Sequence, residues 1–251
     1  MKEHPIPFNG AMVRAILEGN KGSTRRLVAA PPADGWGFNG EYGRITSSHK
    51  HKGKFGAFVR RGVGTDFPEV DIMPSPYGAP GDRLWVRETW TTDVQVDSIA
   101  PRDLSQGEPI FYPADGSIRQ TGCAMISKGK GRPSIHMPRW ASRLLLEVTS
   151  VSVERLQDIS DSQAITEGII RAGSGWRGHE EGPWFASPIG AFGSLWEQIN
   201  GPGSWAANPW VWVVGFDRAR QDAAPGCDCI GCEAEQAKNE PWLQAAQAEE
   251  A

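Results

Sequence analysis

The chain has 251 residues, a formal net charge of −4, 30 glycines, 19 prolines and 39% hydrophobic residues. That length can bury a real core in one elaborated domain, and so much glycine and proline excludes a plain helical bundle. The charge excludes a uniformly basic nucleic-acid-coating protein, though not a local basic face, and no apolar run is long enough to span a bilayer.

Asn9 caps an expected helix whose Met12, Val13, Ile16 and Leu17 share one face, with Gly19 placed to end it. Directly behind that exit, the stretch LEGNKGSTRR gathers Lys21, Ser23, Thr24, Arg25 and Arg26. Cations at a helix exit complement the macrodipole, which leaves the hydroxyls unexplained. A Lys three residues before a Thr is an arrangement in which an amine of lowered pKa activates a hydroxyl nucleophile. In a plain strand, residues three apart face opposite ways, so convergence needs a bend, and Gly22 makes one inexpensive.

Residues 31–80 read as an insertion in which Lys50, Lys52, Lys54, Arg60 and Arg61 alternate with His49, His51, Phe55 and Phe58. That pattern suits a nucleic-acid backbone and its bases, and a solvated basic loop is the equal alternative. In DRLWVRETW, residues 82–90, strand alternation places Leu84, Val86 and Glu88 on one face and Trp85, Arg87 and Thr89 on the other. Glu88 then points inward, where a carboxylate needs a partner. Arg26 is the partner expected, giving Glu88 a structural role in competition with direct ligand contact. Residues 91–133 form a second insertion, with Asp115-Gly116 as a two-residue hairpin turn. His136 precedes a strand, either at a pocket rim or as a structural residue.

SRLLLEVTSVSVERL, at 142–156, is a second β region. Ser160 and Gln163 match a capping box, so Ala164 to Glu167 fall in a short helix that Gly168 closes. After a third insertion at about 171–190, Phe192, Leu195, Trp196 and Ile199 have helical spacing, and PWVWVVGF at 209–216 reads as a strand buried on both faces. Most of the 11 tryptophans are expected in the core, with a few available to stack on a base. Residues 219–251 are acidic, with no apolar periodicity, and read as a flexible tail. Cys227, Cys229 and Cys232 have metal-like spacing but offer three thiols and no nearby His, with Cys123 the only distant fourth ligand, so neither metal nor cofactor is expected.

Four segments, taken in order, resemble the ASCH domain of the PUA-like superfamily, in the elaborated form found in phage and prophage proteins. FNGAMVRAILEGNKGSTRR resembles the opening helix with its Gly-x-Lys-x-x-Thr-x-Arg signature, and YGAPGDRLWVRETW the Gly-Asp-x-Leu-x-Val strand. LLLEVTSVSVERLQDISDSQAITEGI resembles the later strand and the helix ending in Glu-Gly, and LWEQINGPGSWAANPWVWVVGF the closing helix and strand. Together they cover about a third of the chain. The resemblance implies an α+β fold across residues 1–218: a small β-barrel with flanking helices and the three long insertions.

It also implies an amidohydrolase that removes the acyl group from N4-acylated cytosine nucleosides or bases, as small relatives do with N4-acetylcytidine. Carried across by position, the catalytic residues become Lys21, Thr24 and Glu167, with Arg26 in the family's Arg position; Ser23, Arg87 and Glu88 join Arg26 as expected substrate-binding residues. Two departures alter the pocket: Gly22 stands where the family often has Thr, and Arg25 where it has a branched apolar residue. A competing reading is a non-catalytic module that binds RNA or a modified nucleotide through the cleft and the basic insertion. A third is an accessory protein that binds a host protein through its insertions. The expected location is the cytoplasm, that of the host if the chain is phage-encoded, with no membrane association.

Overall fold

The computed structural model describes residues 1–46, 50–62, 69–120 and 122–219. The acidic tail with Cys227, Cys229 and Cys232, and His49 of the basic insertion, lie outside the described residues. In chain order the main elements are β1 (Glu3–Pro7), α1 (Gly10–Leu17), β2 (Ser23–Leu27), β3 (Trp36–Arg44), β4 (Phe55–Arg61), β5 (Glu69–Pro74), β6 (Arg83–Arg87) and β7 (Ile110–Tyr112). There follow β8 (Ser117–Arg119), β9 (Leu145–Arg155), α2 (Asp161–Thr166), β10 (Ile170–Ala172), β11 (Gly175–Arg177), α3 (Pro188–Asn200) and β12 (Trp210–Arg218). The class is α+β, with strands in several sheets and few helices.

The organising element is a five-stranded sheet in the order β1-β6-β9-β12-β2, with β1 parallel to β6 and the other neighbours antiparallel. This sheet does not close into the expected barrel. The reason lies in its edges. Lys2 and Phe8 hydrogen-bond to β6, so by alternation residues 3, 5 and 7 turn their backbone outward, and two of these are Pro5 and Pro7, which have no N–H to give a further strand. At the other edge, Gly22 and Val28 bond to β12, so Ser23, Arg25 and Leu27 turn their N–H and C=O groups away from it. The two edges meet through a side chain: the Arg26 guanidinium donates to the Pro7 carbonyl and lies 5.1 Å from the Phe8 ring centre.

Strand β12 is buried on both faces, as its continuous apolar run implies. Trp212, Val214 and Phe216 join Ile6, Phe8, Leu84, Val86 and the α1 residues Val13 and Ile16 in one core. Val211 and Val213 face the other way, into a second core with Phe192 and Trp196 of α3 and Ala164 of α2. Helix α1 begins where its sequence indicates, with the Asn9 side chain accepting from the Met12 amide at 2.9 Å.

The insertions are more ordered than loops. Strands β3, β4 and β5 make a three-stranded antiparallel sheet, docked on the main sheet by Phe38 against Trp210 (ring centres 4.8 Å apart). The Tyr42 hydroxyl joins the same contact, accepting from the Val153 amide at 2.8 Å and donating to its carbonyl at 3.3 Å. Three of the five cations expected to form a basic stripe are paired with acidic neighbours: Lys50 with Asp71, Arg60 with Glu41, and Arg61 with Glu69. The insertion after β6 has its own core of Trp90, Leu104, Ile110, Tyr112, Met137 and Ala141. Strands β7 and β8 pair Tyr112 with Ser117, so residues 113–116 form a four-residue loop closed by the Gly116 amide on the Tyr112 carbonyl, rather than a two-residue turn. Among the described residues no helix is long and apolar enough to cross a membrane.

Candidate active site

The chain reaches Lys21 on leaving α1 and reaches Glu167 on leaving α2. One backbone contact holds the two exits side by side: the Gly22 amide donates to the Thr166 carbonyl at 2.9 Å, while the Gly22 carbonyl accepts from Phe216 of β12 at 2.8 Å. Gly22 does not need its missing side chain for this. A Cβ there would lie 3.4 Å from the Thr166 methyl, an ordinary contact. Gly168 is the glycine the site requires, with φ +98° and a would-be Cβ 3.3 Å from the Ala15 Cβ and 3.4 Å from the Lys21 Cβ. Upstream, the capping box is complete, since Gln163 donates its amide to the Ser160 hydroxyl and accepts from the Ser160 amide.

Lys21 is 4% exposed and Glu167 6%. The Lys21 amine donates to Glu167 Oε2 at 2.9 Å and to the Glu167 carbonyl at 2.6 Å, so one cation pairs with the carboxylate and also caps the helix end. A carboxylate at a helix C-terminus opposes the macrodipole and needs such cations. Arg25 is the second: its guanidinium lies 3.2 Å from Glu167 Oε1 and 3.4 Å from Glu154. Burial pulls the Lys21 pKa down; Glu167 opposes that shift, and Arg26 and Arg25 add to it. Losing the Lys21 proton therefore leaves two guanidinium groups balanced by Glu167 and Glu154.

The geometry of Nζ matters here. Its carbon and its two hydrogen bonds to Glu167 fill three tetrahedral positions, and in the neutral amine the fourth is a lone pair. Nζ also lies 5.8 Å from the Phe8 ring centre, beside the ring that Arg26 covers.

Lys21, Thr24, Arg25, Arg26 and Glu167 line one cavity of about 120 Å³, walled by Phe192 and Trp196 of α3. It adjoins a larger one of about 350 Å³ between α1, α3 and the β10–β11 hairpin; the two share Met12, Glu167, Leu195 and Ile199. Strand register divides the predicted residues. Thr24 and Arg26 sit opposite Val214 and Trp212, on the face of the first core, whereas Arg25 sits opposite Val213, on the α3 face. No hydrogen bond joins Thr24 to Lys21 among the described residues, and the Thr24 hydroxyl is left without a hydrogen-bond partner there. Three polar groups here are buried without partners: Arg25 Nε, Arg26 Nε and the Ser23 hydroxyl.

Arg87 and Glu88 are engaged elsewhere. Arg87 donates to the Met137 carbonyl and stacks on Trp85. Glu88, 1% exposed, pairs not with Arg26 but with Arg143, which grips it at 2.8 and 2.9 Å and also holds Asp115 at 2.7 Å. The register explains the exchange: Trp85 pairs with Leu145, so Arg143 falls across from the end of β6, while the Arg26 guanidinium is taken by Pro7 and Phe8. His136 is exposed in a short 3-10 turn. Sequence reasoning missed Arg25 and Glu154 as members of the site; the signal available was that Arg25 replaces an apolar residue of the resembled family. Among the described residues, no group of three or more His, Cys, Asp or Glu side chains is gathered as a metal site. Comparison with family models, curated proteins and solved structures found no match.

Proposed function

We propose that this protein is an amidohydrolase of the ASCH type, within the PUA-like superfamily, that removes the acyl group from N4-acylated cytosine nucleosides or bases. The observation that carries the reading is the buried Lys21–Glu167 pair at 2.9 Å, in a cavity where burial pulls the Lys21 pKa down. A lysine so placed is suited to general-base work, because burial favours its neutral form while Glu167 orients it.

In the proposed reaction the Lys21 amine takes the Thr24 hydroxyl proton as Oγ1 attacks the acyl carbonyl carbon. The unpartnered Arg26 Nε–H donates to the developing oxyanion. The carbon–N4 bond then breaks, the Lys21 ammonium returns its proton to N4, and cytosine leaves with its free amino group. Water, deprotonated by the same amine, hydrolyses the Thr24 ester, releasing the carboxylic acid and restoring Thr24. The outward N–H and C=O groups of Ser23, Arg25 and Leu27 suit the hydrogen-bonding edge of a nucleobase. Because Thr24 lies on the Phe8 side of β2, attack requires the acyl group to enter on that side.

The test is to incubate purified protein with N4-acetylcytidine and follow deacetylation by ultraviolet absorbance. Turnover by the wild type, reduced about a hundredfold or more by Lys21→Ala with folding retained, is the expected result. Absence of turnover on acylated nucleosides, bases and oligonucleotides alike overturns the reading. One observation favours the non-catalytic RNA or modified-nucleotide module instead: Arg25 holds Glu167 as a second cation, which makes Lys21, Glu167 and Arg25 a stable clasp. That module would bind without turnover.

A further inference from the structure

A cleft of about 430 Å³, apart from the Lys21 cavity, opens between the start of β1 and the sheet formed by β3, β4 and β5. It is lined by Lys2 and His4 at β1, Arg44 at the end of β3, Lys54 just before β4, and Asp82. The one carboxylate is already satisfied. Asp82 Oδ1 accepts from the Lys2 amide at 2.8 Å, Oδ2 accepts from the Ala79 amide at 3.0 Å, and Arg44 lies 3.7 Å away. Arg44 also donates to the Gly53 carbonyl at 3.1 Å, which fixes its guanidinium at the cleft.

The remaining positive groups are not satisfied. Among the described residues, the Lys2 and Lys54 ammonium groups have no ion-pair partner, and His4 Nε2 is buried without a hydrogen-bond partner. Gly78 makes that burial possible: a Cβ at this position would lie 2.8 Å from His4 Nε2 and 2.7 Å from Asp82 Oδ2. Elsewhere on the insertion, acidic neighbours offset Lys50, Arg60 and Arg61, whereas the cleft gathers three cations against one carboxylate. Three cations, an imidazole whose Nε2 has no hydrogen-bond partner and one carboxylate already engaged are complementary to a compact anion with several acceptor oxygens. The volume admits the group to which such an anion is attached.

We propose that this cleft binds a phosphate group carried by a nucleotide, with Lys2, Arg44 and Lys54 as the charged contacts and His4 as a further hydrogen-bonding group. The nucleotide is either free or part of a single strand. The site does not depend on the hydrolase reading, since it shares no residue with the Lys21 cavity.

The experiment uses the full chain and three probes: adenosine 5′-monophosphate, adenosine as the phosphate-free control, and a fluorescein-labelled single-stranded RNA decamer titrated at several salt concentrations. The variant is Lys2→Ala with Lys54→Ala; both side chains are exposed, and an unchanged thermal midpoint checks the fold. We expect the monophosphate to bind and adenosine not to, and the double variant to weaken the monophosphate about tenfold. If a strand is the source, the slope of log affinity against log salt for the decamer also becomes shallower, by about 0.7 for each lost contact. If the source is a free nucleotide, monophosphate binding weakens while that slope stays the same. Monophosphate and decamer affinities both unchanged in the variant, or adenosine bound as tightly as its monophosphate, would overturn the proposal.

Discussion

Replacing Lys21 by Met removes the buried amine while keeping most of its stem in place, so the pH dependence of stability isolates the proton on that amine. In the folded protein the Lys21 pKa lies below its ordinary 10.5 because burial disfavours the ammonium. Between the folded value and 10.5 the unfolded chain binds the extra proton, so wild-type stability rises with pH across that window. Below the folded value, both states are protonated and the full cost of burying the charge is present. One proton gives a slope of up to about 1.4 kcal/mol per pH unit. For a unit of this size, that is about 3–6 °C in Tm per pH unit.

Tyr77 and Tyr112 act in the opposite sense. Burial raises both, Tyr112 to about 12, so the folded protein keeps their protons and loses stability as pH passes 10.0. Subtracting the melting curve of the variant from that of the wild type at each pH cancels the tyrosines. Glu167 keeps Arg25 at 3.2 Å in the variant, so its carboxylate is not left unpaired. Circular-dichroism melts from pH 7.5 to 10.5 should show the difference moving in favour of the wild type as pH rises. A flat difference across that interval would refute the lowered Lys21 pKa, and with it the general-base role.

Glu167→Gln leaves Lys21 and Arg25 facing a neutral amide, and should cost about 3–5 kcal/mol in urea denaturation, less whatever Lys21 recovers by shedding its proton. Arg143→Met strands the Glu88 carboxylate and should cost a similar amount, about 3–5 kcal/mol, with KM for an acylated cytidine unchanged; a raised KM would return Glu88 to the substrate. Gly168→Ala should lose about 1–3 kcal/mol, because φ is +98° and the new methyl meets Ala15 and Lys21, and turnover should fall as Lys21 is displaced. Tyr42→Phe removes two hydrogen bonds to Val153 and should cost about 1–2 kcal/mol, read as faster hydrogen exchange at the Val153 amide.

Elements set by near neighbours along the chain are legible in the residues themselves. The Asn9 cap, the Ser160–Gln163 capping box and the doubly buried β12 each depend on residues within a few positions of one another, and each has the form its pattern implies. The inward face of Leu84, Val86 and Glu88 follows from strand alternation in the same way. Partners are not legible. Glu88, expected on Arg26, pairs with Arg143, because pairing depends on the register of β6 against β9, which the residues of neither strand specify alone. The β3–β5 sheet is hidden for a related reason: β3 is interrupted by three glycines, and the three segments become strands through each other and through Phe38 and Tyr42 on the main sheet. Lys21 and Glu167 are 146 positions apart. Local sequence is enough to cluster an amine, hydroxyls and guanidinium groups behind one helix and to end a short helix far downstream on a glutamate. Folding alone brings the two helix exits together through Gly22 and Thr166 and buries that amine against that carboxylate, because desolvation and ion pairing act between groups close in space, whatever their separation along the chain.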